Sequence, residues 1–379
     1  MVARGLFAAP VGVLAAAAVV SALARPPDPS PVQVCTNVQL GFVGPLSGPA
    51  SVIGQEQLSW LRLAIQKYNR ARTTLFDVAL GDTQLKAPLA RTVAKRMVAN
   101  GNVWAVIGPT EGQAVKAGGD TYERADLATI SASATDVELT KRRPYTTFFR
   151  VVPHDGVQGP TIVSHVAGTL NAKNVVVIDS EDDYSLPIAA AVAGGLRKAG
   201  VTVVRASVSA DEEDLSSIAA DVAGNVDIVV FATQEPAAAN SLSHELREQE
   251  KQAIVFGTDG AYAPSRFIPR SGYVSVFSPD LHFSARARSI VREYDRYSRN
   301  RTFTVLGPPT YMAGLVAMSA IRNACLDGRA TRSEVTAAVR RTNVPSIIGT
   351  SIRFDQKGDV RGVPFAIYKI TNGKYSPVG

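Results

Sequence analysis

Short apolar runs alternate with stretches of helical periodicity along nearly the whole chain. Val38-Gln39-Leu40-Gly41-Phe42-Val43 predicts a strand ending at Gly44-Pro45. Beyond it, Leu58, Leu61, Ala64, Ile65 and Tyr68 fall on one face of a helix over 54–71, because residues three and four apart share a face at 3.6 residues per turn. Strands at 76–80 and 104–107, helices over 87–100 and 113–125, and a strand at 128–130 extend this first series. The rhythm restarts with a helix over 156–170. Strands at 174–178, 201–204, 227–231 and 253–256 follow, separated by helices over 185–199, 215–222 and 237–249. Apolar strands spaced by helices imply a parallel sheet covered on both faces. Two such series in one chain predict an α/β protein of two doubly wound, Rossmann-like domains. The tail departs from the pattern. It reads as helices over 285–300, 310–326 and 331–341, then strands near 350–354 and 364–370 on either side of a turn at Asp355-Gln356-Lys357-Gly358-Asp359.

A length of 379 residues agrees with two domains. Hydrophobic residues at 46% and charged residues at 19% suit a large core and argue against disorder. The formal charge of +7 is dispersed, and the densest basic runs, Lys141-Arg142-Arg143 and Arg340-Arg341, are too short for a nucleic-acid arm. No nucleic-acid partner is expected. The N-terminus changes the picture more. Arg4, the apolar stretch 6–20 and the small-x-small triplet Ala22-Leu23-Ala24 form the pattern of a secretory signal peptide over residues 1–24. The Pro-rich stretch that follows, within 25–35, reads as an extended tether. Export to a periplasmic or cell-surface location is therefore expected. Cys35 and Cys325 are the two cysteines. In an exported protein they are expected to pair, with two unpaired thiols as the alternative. Val32-Gln33-Val34 lacks the small residues that a lipidated Cys35 would need.

Several signatures of catalysis are missing. The chain has no Gly-x-Ser-x-Gly elbow, Walker loop, dinucleotide Gly-x-Gly-x-x-Gly or His-Glu-x-x-His. His154, His165, His244 and His282 lack metal-ligand spacing. No enzymatic activity, cofactor or metal is expected. Enriched instead are loops of small and hydroxyl residues after strands. They are Pro45-Leu46-Ser47-Gly48-Pro49, Gly108-Pro109-Thr110-Glu111-Gly112-Gln113 and Ser131-Ala132-Ser133-Ala134-Thr135. In open α/β sheets, ligands bind beyond the carboxyl ends of the strands, where helix N-termini offer free N–H groups. Each loop taken alone also reads as ordinary turn and cap chemistry. Three in one half suggest one wall of a cleft.

These segments resemble the branched-chain amino acid (Leu/Ile/Val) binding proteins, type I periplasmic binding proteins that serve ABC importers. The likeness runs over nearly all of residues 36–371. It rests on Gly44-Pro45-Leu46-Ser47-Gly48-Pro49, Val106-Ile107-Gly108, and Ser133-Ala134-Thr135 with Glu138-Leu139-Thr140. It continues through Phe149-Arg150 with Asp155, Gln158-Gly159-Pro160, Ile178-Asp179 with Tyr184, and Phe256-Gly257-Thr258-Asp259-Gly260, ending at Phe354-Asp355-x-Lys357-Gly358-Asp359. The resemblance implies a discontinuous layout, with residues 36–152 plus 283–345 in lobe one and 153–282 plus 346–379 in lobe two. Three crossovers would form the hinge. It also implies a monomer that closes on a small ligand, an amino acid or a related amide or amine, and delivers it to ABC permease subunits. A sensor of the same fold that signals through a partner is the alternative.

The resemblance further implies site residues. The carbonyl of Ser133 and the hydroxyl of Thr135 match ammonium-binding positions, Asp259 matches an acidic partner from the other lobe, and Tyr184 matches an aromatic that covers the ligand. Ser47, Thr110 and Gln113 belong to the same loops. Ile53 and Leu306 stand at side-chain pocket positions. Three departures bear on the ligand. Gly112 stands where a serine hydroxyl meets a carboxylate, Glu111 precedes it, and Gln234 replaces an aromatic. Backbone N–H groups at 112–113 remain, but an inward Glu111 would repel a carboxylate. An amino acid held differently, an amide and a more cationic molecule are the three options.

Overall fold

A computed structural model describes Met1 and residues 33–378, apart from 49, 71–74, 143–144, 210–211, 213, 300–301 and 350. The signal-peptide segment and most of the tether lie outside the described residues. Among the described residues, no helix is long and apolar enough to cross a membrane.

Lobe one is built on five parallel strands, β1 (Val38–Gly44), β2 (Phe76–Asp82), β3 (Val103–Ile107), β4 (Thr129–Ser131) and β5 (Phe148–Arg150), in the order β2-β1-β3-β4-β5. All five residues of β3 are buried, as expected for a central strand covered by helices on both faces. The covering helices include α1 (Ser51–Arg70), α2 (Ala87–Ala99) and α3 (Gly112–Arg124); the short α4 (Glu138–Lys141) follows β4. Trp60 of α1 is 0% exposed. It stacks on Tyr294 at 4.1 Å and meets Phe303 and Tyr311 edge-on.

Lobe two opens with α5 (Asp155–Val163), which runs on as a π-helical turn over Ser164–Thr169. Its strands are β6 (Asn174–Asp179), β7 (Thr202–Ser207), β8 (Ile228–Ala232), β9 (Ile254–Gly257), β10 (Ser271–Val276), β11 (Ala366–Thr371) and β12 (Lys374–Val378), in the order β12-β11-β10-β9-β8-β6-β7. The first five pair in parallel; β11 and β12 add antiparallel strands at one edge. Helices α6 (Ser185–Lys198), α7 (Ser216–Asp221) and α8 (Pro236–Glu248) connect them, while α9 (Arg288–Ser298), α10 (Pro308–Ala324) and α11 (Arg332–Arg340) follow the return to lobe one.

Two parts of the tail differ from the sequence reading. Ile348, Ile352 and Phe354 bury in the first lobe's core, with Phe354 lying 5.1 Å from Phe149 of the edge strand β5. The division at 345/346 is thus displaced. Apolar side chains up to Val360 find cover on lobe one, and the passage to lobe two follows, reaching β11 at Ala366. The reading also lacks β5, β10 and β12. At the hinge, Val152, Phe277 and Phe365, one from each passage of the chain, form a small apolar cluster with Val157 and Leu306. Cys35 and Cys325 form a disulfide with Cα atoms 6.0 Å apart. It lies within lobe one, beside the short antiparallel pairing of Gln33–Val34 with Arg329–Ala330.

Candidate functional site

The loops at the carboxyl ends of β1, β3 and β4 form one wall. Thr110 donates its hydroxyl to Gln57 Oε1 at 3.0 Å, Gln57 Nε2 donates to Ser133 Oγ at 3.0 Å, and Ser133 Oγ donates to the Thr110 carbonyl at 2.6 Å. This closed ring ties two strand-end loops to α1. The hydroxyls of Thr110 and Ser133 thereby hold the framework. Ser47 and Gln113 are exposed, and Ser47 hydrogen-bonds Asp82 at the end of β2.

Beneath the β4 loop lies Arg150, 0% exposed. Its Nη1 donates to the carbonyls of Ala134 at 3.0 Å and Asp136 at 2.7 Å, its Nη2 to Thr140 Oγ1 at 2.6 Å, and its Nε to Asp359 Oδ1 at 2.6 Å. One buried guanidinium therefore fixes the Ser133–Asp136 loop and binds it to the last hinge segment. All its donors used here meet acceptors, as a buried charge requires. The sequence reading noted Phe149-Arg150 without giving Arg150 a role.

Asp155, the first residue of α5, joins the two walls. Its N–H donates to the Thr135 carbonyl at 2.9 Å, and its carboxyl hydrogen-bonds the Thr135 side chain. The residue is 7% exposed, and its Oδ1 has no partner. Burial first, and then the charge of Asp259, push its pKa up to about 8.

The second wall centres on Asp259, just past β9. Tyr184 donates its hydroxyl to Asp259 Oδ1 at 2.6 Å and accepts from Gly260 N at 3.1 Å. Gln158 Nε2 donates to the same carboxyl oxygen at 2.6 Å and to Ser275 Oγ at 2.9 Å. Burial raises the Asp259 pKa despite these donors, and burial followed by the Asp259 charge raises that of Tyr184. Residue 260 must be glycine, because a Cβ there would lie 2.5 Å from the Thr233 carbonyl. That close approach brings the exposed Gln234 beside the Asp259 loop.

Glu111 precedes α3 in an extended conformation and does not cap it. Both carboxyl oxygens are buried without a partner, and burial pushes the pKa up to about 7. A Cβ on Gly112 would come 3.2 Å from the Asp136 Cβ, and Asp136 pairs with Lys116 at 2.6 Å. The structure thus gathers Thr135, Tyr184 and Asp259 around Asp155. The Glu111 carboxyl is covered by protein and touches none of these groups, and Ser47 and Gln113 are exposed. Gln158, quoted only within a family motif, was given no role because that role depends on Asp259 and Ser275, 101 and 117 residues away. Among the described residues, no group of three acidic, His or Cys residues could hold a metal. A separate groove of 930 Å³ near the hinge, lined in part by Val157, Pro160, His165 and Phe365, contains none of the candidate site residues.

Comparison with known proteins gives a consistent picture. The leucine-, isoleucine-, valine-, threonine- and alanine-binding protein of Pseudomonas aeruginosa is 24% identical over 349 residues, covering 88% of this chain and 89% of that protein. The crystal structure of a leucine binding protein from Thermotoga maritima superposes with a TM-score of 0.79 at 20% identity, covering 90% of this chain and 98% of the other. A branched-chain amino acid transporter substrate binding protein from Streptococcus pneumoniae, solved with isoleucine, gives 0.77 at 21% identity, with coverage of 90% and 99%. The family model for periplasmic binding proteins matches residues 37–374, nearly the whole described chain, so the chain belongs to the periplasmic binding protein family.

Proposed function

We propose that this chain is an exported solute-binding protein that closes its lobes around a small polar ligand, an amino acid or related amide or amine, and hands it to the permease of an ABC importer. The observation that carries the reading is the convergence of Asp155, Thr135, Asp259 and Tyr184. Thr135 belongs to lobe one, Asp259 and Tyr184 to lobe two, and Asp155 sits between them. A ligand ammonium placed there would meet a buried anion and oriented acceptors from both walls. Binding would then favour the closed form, because a ligand shifts a conformational equilibrium only by its differential affinity for the two states. The closed form would present a composite surface of both lobes to the permease. The names of the relatives support amino-acid-like ligands, and the N-terminal pattern supports a periplasmic or cell-surface location.

Calorimetry and thermal shift on the purified protein, with amino acids, amides and small amines as titrants, test the reading. A ligand that binds the native state alone raises the melting temperature. A binding solute whose affinity is unchanged in Asp259→Asn would place capture elsewhere and overturn the assignment.

A further inference from the structure

At the end of lobe two remote from the candidate cleft lies a second cavity, of 530 Å³. Its walls come from α8 and the loop after it, the amino ends of β9 and β10, and the tip of the β11–β12 hairpin. Asp259 and Tyr184 follow the carboxyl ends of β9 and β6, whereas Ile254 and Ser271 open β9 and β10. These strands run parallel, so the sheet itself separates the cavity from the cleft. None of the candidate site residues lines it.

The walls are tied together by backbone. Asn240 Oδ1 accepts from the Ile268 N–H at 2.9 Å. Asn372 and Gly373, at the hairpin tip, donate their N–H groups to the carbonyls of Arg270 at 2.8 Å and Pro269 at 3.0 Å. Both have left-handed φ, 48° and 72°, as a tight two-residue hairpin turn requires. The tip is thereby fixed to the loop that carries Arg270.

Arg247, Lys251, Arg270 and Lys369 line this cavity with His244, and no Asp or Glu does. The chain as a whole holds 40 basic against 33 acidic side chains, so the local excess does not come from composition. Lys251 Nζ donates to the carbonyls of Ala220 at 3.2 Å and Val222 at 2.6 Å, which orient the ammonium and leave its charge uncancelled. Arg247 reaches Glu248 at 3.0 Å, and His244 Nε2 lies 3.6 Å from the same carboxylate. All three of those side chains are about half exposed, so the pairing is weak and exchangeable. Among the described residues, Lys251, Arg270 and Lys369 form no ion pair with a carboxylate.

Four cations around one cavity raise its potential and repel one another until an anion joins them. Two guanidinium groups offer paired N–H donors that match phosphate oxygens, two ammonium groups add charge, and the Asn240 amide nitrogen is a further donor. The volume is larger than a bare oxyanion needs and falls in the range of small-molecule sites. We propose that this cavity is a second binding site, for a phosphate group carried on a small organic body, whether a soluble phosphate ester or the headgroup of an anionic lipid.

The test uses the full mature chain at about 0.15 M salt, where diffuse surface charge is largely screened. Titration calorimetry with sn-glycerol 3-phosphate probes the soluble ester. Co-sedimentation with phosphatidylcholine vesicles, with and without phosphatidylglycerol, probes the headgroup. Saturable binding is expected for at least one probe, with a loss of about tenfold or more in Arg270→Gln/Lys369→Gln. Both side chains are exposed, so the melting temperature of this variant should match the parent's. Lys95→Gln/Lys198→Gln removes the same charge from exposed positions outside the cavity and should bind as the parent does. Binding of the ester alone assigns a soluble ligand, and binding of the phosphatidylglycerol vesicles alone assigns a lipid headgroup. Failure of both probes to bind, or an equal loss in the two double variants, would overturn the proposal.

Discussion

Replacing Arg150 by methionine keeps much of the side-chain volume and removes the charge that organises the candidate site. The guanidinium is 0% exposed, and its partner Asp359 is 8% exposed. After the substitution Asp359 keeps a hydrogen bond from Thr140 at 2.9 Å and its backbone contacts but loses its countercharge. Breaking a buried ion pair from one side costs about 3–5 kcal/mol. The abandoned carbonyls of Ala134 and Asp136 add to this, partly offset by water entering the loop, so about 4 kcal/mol is a reasonable central value. Unfolding entropy is about 2.1 cal/mol/K per residue, so for a chain of this size the melting midpoint should fall by about 5–6 °C. Differential scanning calorimetry measures the change. The double variant Arg150→Met/Asp359→Asn removes the stranded charge and should recover about half of the loss. Loss of less than about 1 kcal/mol in the single variant, or no recovery in the double, would refute the assignment of Arg150 as the clamp of the Ser133–Asp136 loop.

Asp259→Asn should weaken an ammonium-bearing ligand by about 30-fold to several thousand-fold, and Thr135→Ala by about fivefold, because a neutral hydrogen bond has a smaller net value. Titration calorimetry on the two variants orders the effects, and equal losses would contradict it. Reducing Cys35–Cys325, 290 residues apart in sequence, should lower the melting temperature, with about 6 kcal/mol as the entropic limit. Ligand affinity should be unaffected, because the bond lies within one lobe. Glu111→Gln should alter the pH dependence of ligand-free stability. The folded pKa of about 7 lies above the ordinary 4.5, so the stability it contributes is full below pH 4.5 and is lost as pH rises through 7. The variant mimics the protonated form. Its advantage over the parent should be nil near pH 4.5 and grow to at most about 3 kcal/mol by pH 8, read from melting curves across that range. A gap that narrows with rising pH would reverse the sign of the argument.

The alternation of strand and helix from Val38 to Gly257 was legible where each element carries its own hydrophobic period, but the three-residue edge strand Phe148–Arg150 and the single turn Glu138–Lys141 are too short to show one. The strand Ser271–Val276 was not. It follows a tract holding Pro264 and Pro269, and its polar Ser275 is buried by a hydrogen bond from Gln158, a partner the local sequence does not reveal. The last strand contains Pro377, which an edge tolerates because one side of the strand needs no ladder donors. In the candidate site, Asp259, Tyr184 and Thr135 stood out by likeness to a family. Arg150, Gln57 and Gln158 acquire meaning only through partners at long range. A buried Gln57 inside an amphipathic helix reads as a polar interruption until its ring with Thr110 and Ser133 is seen.

The buried carboxyls tie the hinge to the proposed ligand site. Asp155 bonds lobe one through its N–H to Thr135 while its carboxyl feels Asp259 of lobe two. In the proposed closure, bringing the lobes together would bring these negative groups together and remove water from them. Burial raises the pKa of Asp155 and Asp259, so a closed site without ligand would recruit protons or leave charge uncompensated. A ligand that supplies positive charge between the walls relieves both costs only in the closed form. A ligand confined to Tyr184 and Asp259 would gain nothing from closure and would leave the equilibrium where it was. Selectivity and closure are on this view two consequences of the same unpaired carboxyls. The resemblance marks Gly112 as the departure at the position where a serine hydroxyl meets a carboxylate, with Glu111 preceding it.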